Sequence, residues 1–295
     1  STVPQIQGRP LSSLPKMNMG KVDNSGIEID AVWNQRINKE FNFSINGNFA
    51  YNKNTVRNVD EVQYDETYAY RYRSTGYSLG QCWGYLIDYS NGNGYINTPE
   101  ELERAKKMYS IGTPRMGDFM YQDVNGDGTI NEKDISPIGY SNIPRITYGF
   151  GANLKWREFD LSCQFQGVGK VSKVYSGAGV NELGLSGFYT EYHKTAWTAE
   201  RYANGEEITY PALSTSSSVS HQTNNCFIMD RSFLRLKNLE IGYTLPKKAL
   251  KAIHLTKVRA YASGTNLLTW HHLRTDCIDP EQTTSNQYPI TKMFT

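Results

Sequence analysis

From Phe41 the chain alternates without a break, with Phe41, Phe43, Ile45, Gly47, Phe49 and Tyr51 on one side. Asn42, Ser44, Asn46, Asn48, Ala50 and Asn52 fall on the other. Period two over this stretch predicts a strand, not a helix. At ~3.3 Å per residue, twelve residues reach about 40 Å, well beyond the usual ~5–6-residue strand. The same pattern recurs before and after it. Ile27, Ile29, Ala31 and Trp33 alternate with Glu28, Asp30 and Asn34, Val32 being the exception, and a turn over 35–40 joins the two runs. A second hairpin is predicted from Ile146 to Gln166, with a tight turn at Arg157-Glu158 flanked by Trp156 and Phe159. A third starts at Phe233, shifts its apolar face near Asn238 in the manner of a bulge, ends at Leu245-Pro246 and returns through Val258, Ala260, Ala262 and Gly264.

Between these hairpins the pattern weakens. Tyr77–Tyr89 and Gly117–Gln122 read as shorter strands, Pro99–Tyr109 as a helix capped by Thr98, and His193–Tyr202 as a short helix. A helical turn is expected from Lys247 to Ile253, and residues 1–20 read as a Pro- and Ser-rich loop. Short turns at 35–40, 157–158 and 245–256 thus alternate with long excursions at 54–145, 167–231 and 270–290. A soluble sandwich has no reason to gather its long connections at one end, whereas a transmembrane barrel has that asymmetry. The mean hydropathy of −0.58 does not oppose a barrel, because lipid-facing residues occupy only every second position.

The composition sharpens this. With 21 Tyr, 5 Trp and 25 Gly in 295 residues, the chain suits an all-β protein. A net charge of +2 gives no electrostatic case for nucleic acid. Cys82, Cys163, Cys226 and Cys277 lack CxxC spacing, so zinc and thioredoxin-like chemistry are not indicated, and their pairing stays open. The carboxylates and the five histidines (193, 221, 254, 271, 272) form no HExxH, and no GxSxG is present; His271 and His272 point to opposite faces of a strand. No enzymatic activity is predicted. The start of the chain has no charged segment followed by an apolar one, so a mature form or a piece of a longer protein is expected.

One stretch carries specific chemistry. Asp123, Asn125 and Asp127 alternate, Gly128 follows at the sixth position, Thr129 can offer its carbonyl at the seventh, and Asp134 closes the twelfth. Hard oxygens at this spacing around a turning glycine are the register of a calcium loop, with Asp134 where the EF-hand has Glu. A polar Asn-Gly/Asp-Gly turn is the simpler alternative. The flanks read as strands, so the expected Ca²⁺ is structural: a clip within 117–134 that orders part of the 54–145 excursion.

The ordered set of motifs resembles a known family. Asn18–Glu28, Gly47–Asn54, Gly117–Gly128, Tyr148-Gly149-Phe150, Phe159–Gly169, Ser232–Leu239, Gly242–Pro246 and Ser263–Thr269 follow the order found in SusC/RagA-like TonB-dependent outer-membrane transporters of Bacteroidota. The resemblance covers most of the chain apart from its variable loops. It implies a large antiparallel transmembrane β-barrel with long extracellular loops, of which residues 1–295 supply a C-terminal portion. About six long strands are counted, too few to close such a barrel. It further implies TonB-energised import of glycan fragments or peptides, a SusD-like surface lipoprotein partner, contact with outer-membrane lipid, and contact with TonB through an N-terminal plug region that this sequence lacks. The alternative is a calcium-stabilised soluble β domain that binds carbohydrate at the cell surface. There Trp83, Tyr85, Trp197 and Trp270 could stack on sugar, although girdle or core roles also suit them.

Overall fold

The computed structural model describes residues 20–175, 180–182, 189–246, 250, 255–276, 278–282 and 290–295. The N-terminal loop reading, His254, Cys277 and nearly all of the Lys247–Ile253 turn lie outside these residues. In chain order the strands are β1 (Lys21–Arg36), β2 (Phe41–Asn58), β3 (Gln81–Gly84), β4 (Ser136–Ser141), β5 (Ile146–Trp156) and β6 (Phe159–Gly169). They continue as β7 (Ser172–Val174), β8 (Ile228–Asp230), β9 (Phe233–Thr244), β10 (Arg259–His271) and β11 (Met293–Phe294). The helices are α1 (Pro99–Met108) and α2 (Ala199–Ala203).

Six long strands and the short β11 form one antiparallel sheet in the order β1-β2-β5-β6-β9-β10-β11, open at both edges. All three predicted hairpins are present. Asn38 closes the first by accepting the N–H groups of Glu40 and Phe41 on its side-chain oxygen, at 2.8 and 2.7 Å. The second turns at Arg157, which adopts φ 54°. The bulge expected near Asn238 is also found: Gln164 faces Asn238 while Phe165 faces Leu236, leaving Lys237 as the extra residue. It brings Leu236 and Leu239 onto one face although their numbers differ in parity.

Directly paired residues of neighbouring strands share a face, so the register maps both sides of the sheet. One side carries Ile29, Phe49 and Tyr148 in one row and Gly47, Phe150 and Phe165 in the next. Nearer the short turns, Phe41, Trp156, Phe159 and Tyr243 make an unbroken aromatic row across four strands. The opposite side carries Asn46, Asn48, Asn153, Gln164, Gln166 and Asn238. Among the described residues no layer covers the apolar side: Ile29, Trp33, Trp156, Phe159 and Ile241 are each more than half exposed.

The packed core lies instead in the excursions. Ile87, Tyr95, Phe119, Tyr121, Ile130, Tyr210 and Phe227 are almost fully buried in one cluster drawn from the 54–145 and 167–231 segments. Three sequence expectations change here. Only Gln81–Gly84 of the Tyr77–Tyr89 stretch is a strand, because the chain changes partner every few residues: Tyr85 bridges Asn224 and Ile87 bridges Tyr121. Gly117–Gln122 likewise makes only single bridges, at Phe119 and Tyr121. The helix expected over His193–Tyr202 is split into a 3₁₀ turn, Glu191–His193, and α2, with Thr198 capping the latter. Helix α1 forms as predicted, with a reciprocal capping box between Thr98 and Glu101. No disulfide joins Cys82, Cys163 and Cys226.

Candidate functional site

The Asp123–Asp134 loop is a tight polar turn closed on itself. Asp123 accepts the N–H groups of Gly126 (2.8 Å) and Gly128 (2.7 Å), while Asp127 accepts that of Thr129 (2.8 Å). Gly126 and Gly128 both have positive φ with open space around them, so they serve the turn and not packing. Asn125 uses its amide N–H on Asp127 (2.9 Å) and on the Thr67 carbonyl (2.7 Å). Asp134 is fully buried and accepts the N–H groups of Val124, Asn125 and Asn131. Burial raises its pKa; the three backbone donors work against this, and Asp123 adds to it.

The donor chemistry is that of a hard-cation loop: three carboxylates, an amide oxygen and the Thr129 carbonyl, all oxygen. Among the described residues none of the three carboxylates is in an ion pair with a Lys or Arg. The donors are in register but not gathered, since no three acidic, histidine or cysteine side chains among the described residues meet at one metal position. What the loop holds firmly is the neighbouring segment. Tyr68 donates to Glu132 (2.7 Å), the Ala69 N–H reaches the Lys133 carbonyl (3.0 Å), and Arg73 donates to the carbonyls of Glu132 and Ile135 (3.1 Å each).

The four aromatics singled out from the sequence are dispersed. Tyr85 and Trp197 are core side chains, Tyr85 against Tyr121 and Trp197 donating its indole N–H to Asn97 (3.0 Å). Trp83 is half-buried between Tyr70, Tyr77 and the Arg73 guanidinium. Trp270 stands on the apolar side of the sheet, opposite Leu234. They do not form one sugar platform.

Two polar groups emerge that sequence reasoning missed. Arg259 joins Asp160 and Glu240 on the polar side of the sheet, a triad spread over β6, β9 and β10. In the loop core, buried Glu182 accepts from the Tyr210 hydroxyl (2.5 Å) and the Ser214 N–H (3.0 Å) and lies 3.0 Å from His221. Both unite residues far apart in the chain, so spacing carried no signal for them.

With this geometry in hand, comparison with known proteins is informative. No family model matches the chain. It is 25% identical over 266 residues, 90% of its length, to TonB-dependent receptor P26 of Formosa agariphila. It is 29% identical over 264 residues to TonB-dependent receptor P3 of the same organism. The chain spans about a quarter of these relatives (26% and 25%). Among solved structures it superposes on the RagAB peptide transporter with a TM-score of 0.64 and 21% identity, covering 94% of this chain and 29% of that one. For the RagAB peptide importer in its closed-closed state the values are 0.67, 22%, 97% and 30%. The chain therefore resembles TonB-dependent receptors across most of its length, and its unclosed antiparallel sheet has the fold of part of the RagAB structure.

Proposed function

We propose that this chain forms part of the wall and the long outer loops of an outer-membrane transporter that imports a nutrient under TonB control. The observation that carries this reading is the uncovered sheet, whose six long strands are apolar on one side and Asn/Gln-rich on the other. An apolar side of that extent has lipid as its natural partner, and a side rich in Asn and Gln, with Arg259 paired to Asp160 and Glu240, suits a water-filled lumen. The aromatic row Phe41–Trp156–Phe159–Tyr243 then lies at the short-turn interface, with Tyr148 and Trp270 near the other. From Tyr148 to Trp156 the strand covers ~27 Å, which a tilt of ~40° reduces to about 20 Å of depth, close to the apolar band of such barrels.

On this reading the excursions face the cell exterior, where a SusD-like lipoprotein would cover them and TonB would act through a plug outside this chain. The substrate would be a peptide or a glycan fragment. The likeness to TonB-dependent receptors supports nutrient uptake in general, and the likeness to the RagAB peptide importer supports a peptide. The test is uptake by the full-length transporter in its native host, with labelled oligopeptides and oligosaccharides compared. Deleting the plug should abolish concentrative uptake of one class. Unchanged uptake of both classes would overturn the proposal. The soluble carbohydrate-binding alternative is opposed by the uncovered apolar side, which would aggregate in water.

We also propose that Asp123, Asn125, Asp127, the Thr129 carbonyl and Asp134 hold a structural Ca²⁺. Three carboxylates without an ion-paired cation support it, and the bonds to Thr67, Tyr68, Ala69 and Arg73 say what it would stabilise. Asp127→Ala should lower the melting temperature in calcium and leave it nearly unchanged in chelator. An equal loss in both media would show that the loop is only a turn.

A further inference from the structure

Above Tyr51, strand β2 carries Lys53, Thr55 and Arg57 on the same side as Phe49 and Tyr51. The chemistry of that side changes at this level from apolar to basic. Beyond Tyr51, β2 leaves β5 and pairs instead with the loop at 76–77, the Gly76 N–H reaching the Val56 carbonyl and the Val56 N–H the Tyr77 carbonyl, both at 2.8 Å. The gap left by this change of partner is a cavity of about 390 Å³, lined by Lys53, Thr55, Arg57, Tyr77, Ser78 and Arg145.

The charges in it are unbalanced. Arg57 is paired with Asp23 at 2.6 Å. Neither Lys53 nor Arg145 is in an ion pair among the described residues. Arg145 is held by one hydrogen bond from Nη2 to the Ser78 hydroxyl (2.9 Å) and lies over the Tyr140 ring. Its Nε is buried with no hydrogen-bond partner. Beside the cavity, Lys170 sits over the Tyr51 ring at 5.5 Å and adds a further positive charge at the same height.

We propose that this cavity binds the phosphate of a lipid in the outer leaflet. Arg145 and Lys53 would supply charge-assisted donors, and the hydroxyl of Thr55 or Ser78 a neutral one. The position fits the ligand: the cations lie immediately beyond the aromatic residues Tyr51 and Tyr148, where headgroups would meet the wall. The lipid origin of the phosphate rests on reading the sheet as a barrel wall. The anion preference rests only on the cavity.

The test uses the full-length protein in detergent, titrated with phosphatidic acid, phosphatidylcholine and inorganic phosphate, with bound ligand counted by native mass spectrometry. Wild type should prefer phosphatidic acid over phosphatidylcholine. Lys53→Gln and Arg145→Gln should each weaken phosphatidic acid binding roughly tenfold, the scale of one charge-assisted hydrogen bond. Lys107→Gln, remote on α1, should not. The exposed Lys53 side chain makes no hydrogen bond or ion pair among the described residues, so its variant keeps the test meaningful if Arg145→Gln misfolds. Equal binding of the two lipids, or wild-type phosphatidic acid binding by Lys53→Gln, would overturn the site. Binding of inorganic phosphate with no preference between the lipids would overturn the lipid assignment. Failure of the transport assay with the phosphatidic acid preference intact would count against import and not against this site.

Discussion

Gly117 shows how little freedom the loop core has. Its φ is +78°, its N–H reaches the Ile96 carbonyl (2.7 Å), and its carbonyl accepts the Ala212 N–H (2.9 Å). An added Cβ would lie 2.3 Å from the Trp197 ring and 2.6 Å from the Ala212 methyl. Gly117→Ala combines a left-handed backbone cost of about 1–2 kcal/mol with overpacking of about 1–3 kcal/mol. It should therefore destabilise the loop core by roughly 2–5 kcal/mol and shift Trp197 fluorescence. A loss below ~1 kcal/mol would mean that Trp197 can move aside freely. The sequence placed Gly117 at the start of an expected strand and of the family-like stretch Gly117–Gly128, but nothing in it showed that Gly117 packs on an indole eighty positions away. The same gap explains Trp197 and Tyr85, whose ring chemistry suggested sugar stacking while long-range contacts place them inside.

Two 3₁₀ turns share one design in the loop core, and the one ending in His193 makes it sensitive to acid. Glu191–His193 and Val219–His221 each follow a hydroxyl residue, and each ends in a histidine whose Nδ1 accepts the backbone N–H of that residue: Thr190 at 3.0 Å and Ser218 at 2.9 Å. A nitrogen that accepts must be unprotonated, so the bond from the Thr190 N–H needs a neutral His193 imidazole. Burial lowers the His193 pKa below its ordinary 6.5, with Glu182 pulling the other way. Between the two values the unfolded segment binds more protons than the folded one. The stabilisation is thus complete above 6.5 and declines as pH falls below it. Burial pushes Glu182 upward, but bonds from His221 and Tyr210 prevail, leaving it below 4.5. Its contribution is complete above 4.5 and is lost as pH falls through its lowered value.

Hydrogen exchange over 189–221 should therefore lose protection as pH falls below 6.5, while the six-strand sheet keeps its own. His193→Phe should flatten this first step. Simultaneous loss in loops and sheet would contradict the assignment. Nothing of this was legible beforehand, since a Ser/Thr-x-x-His spacing is too common to single out. The hairpins, the α1 capping box and the β9 bulge were legible because each is written in local periodicity or a four-residue motif. Tyr77–Tyr89 was misjudged for the converse reason: apolar density resembled a strand, but its residues pair with three different segments.

The molecule has its core and its sheet in different places, and that separation carries the functional reading. In a soluble β-sandwich the apolar side of β1, β2, β5, β6, β9 and β10 would face a second layer and contribute most of the buried residues. Here the buried residues belong mainly to the excursions, and among the described residues no second layer packs on the apolar side. Depth makes the difference measurable. Phe150 lies six residues from the Trp156 row, ~20 Å along the strand and about 15 Å in depth, near the middle of a bilayer. Asn46 is on the polar side of the adjoining strand, opposite Gly151.

In the full-length protein Phe150→Arg should cost about 2–4 kcal/mol of folding stability in lipid vesicles, and Trp156→Arg at the interface at most about 1 kcal/mol from charge. Asn46→Arg should leave assembly intact, because its side chain remains in water. The fraction of protein that migrates as a heat-modifiable folded barrel reports all three. A packed protein interface on the apolar side would penalise Phe150→Arg and Trp156→Arg alike, since both would bury an unpaired charge. Graded loss with depth, together with tolerance at Asn46, is the pattern that only lipid on one side and water on the other produces.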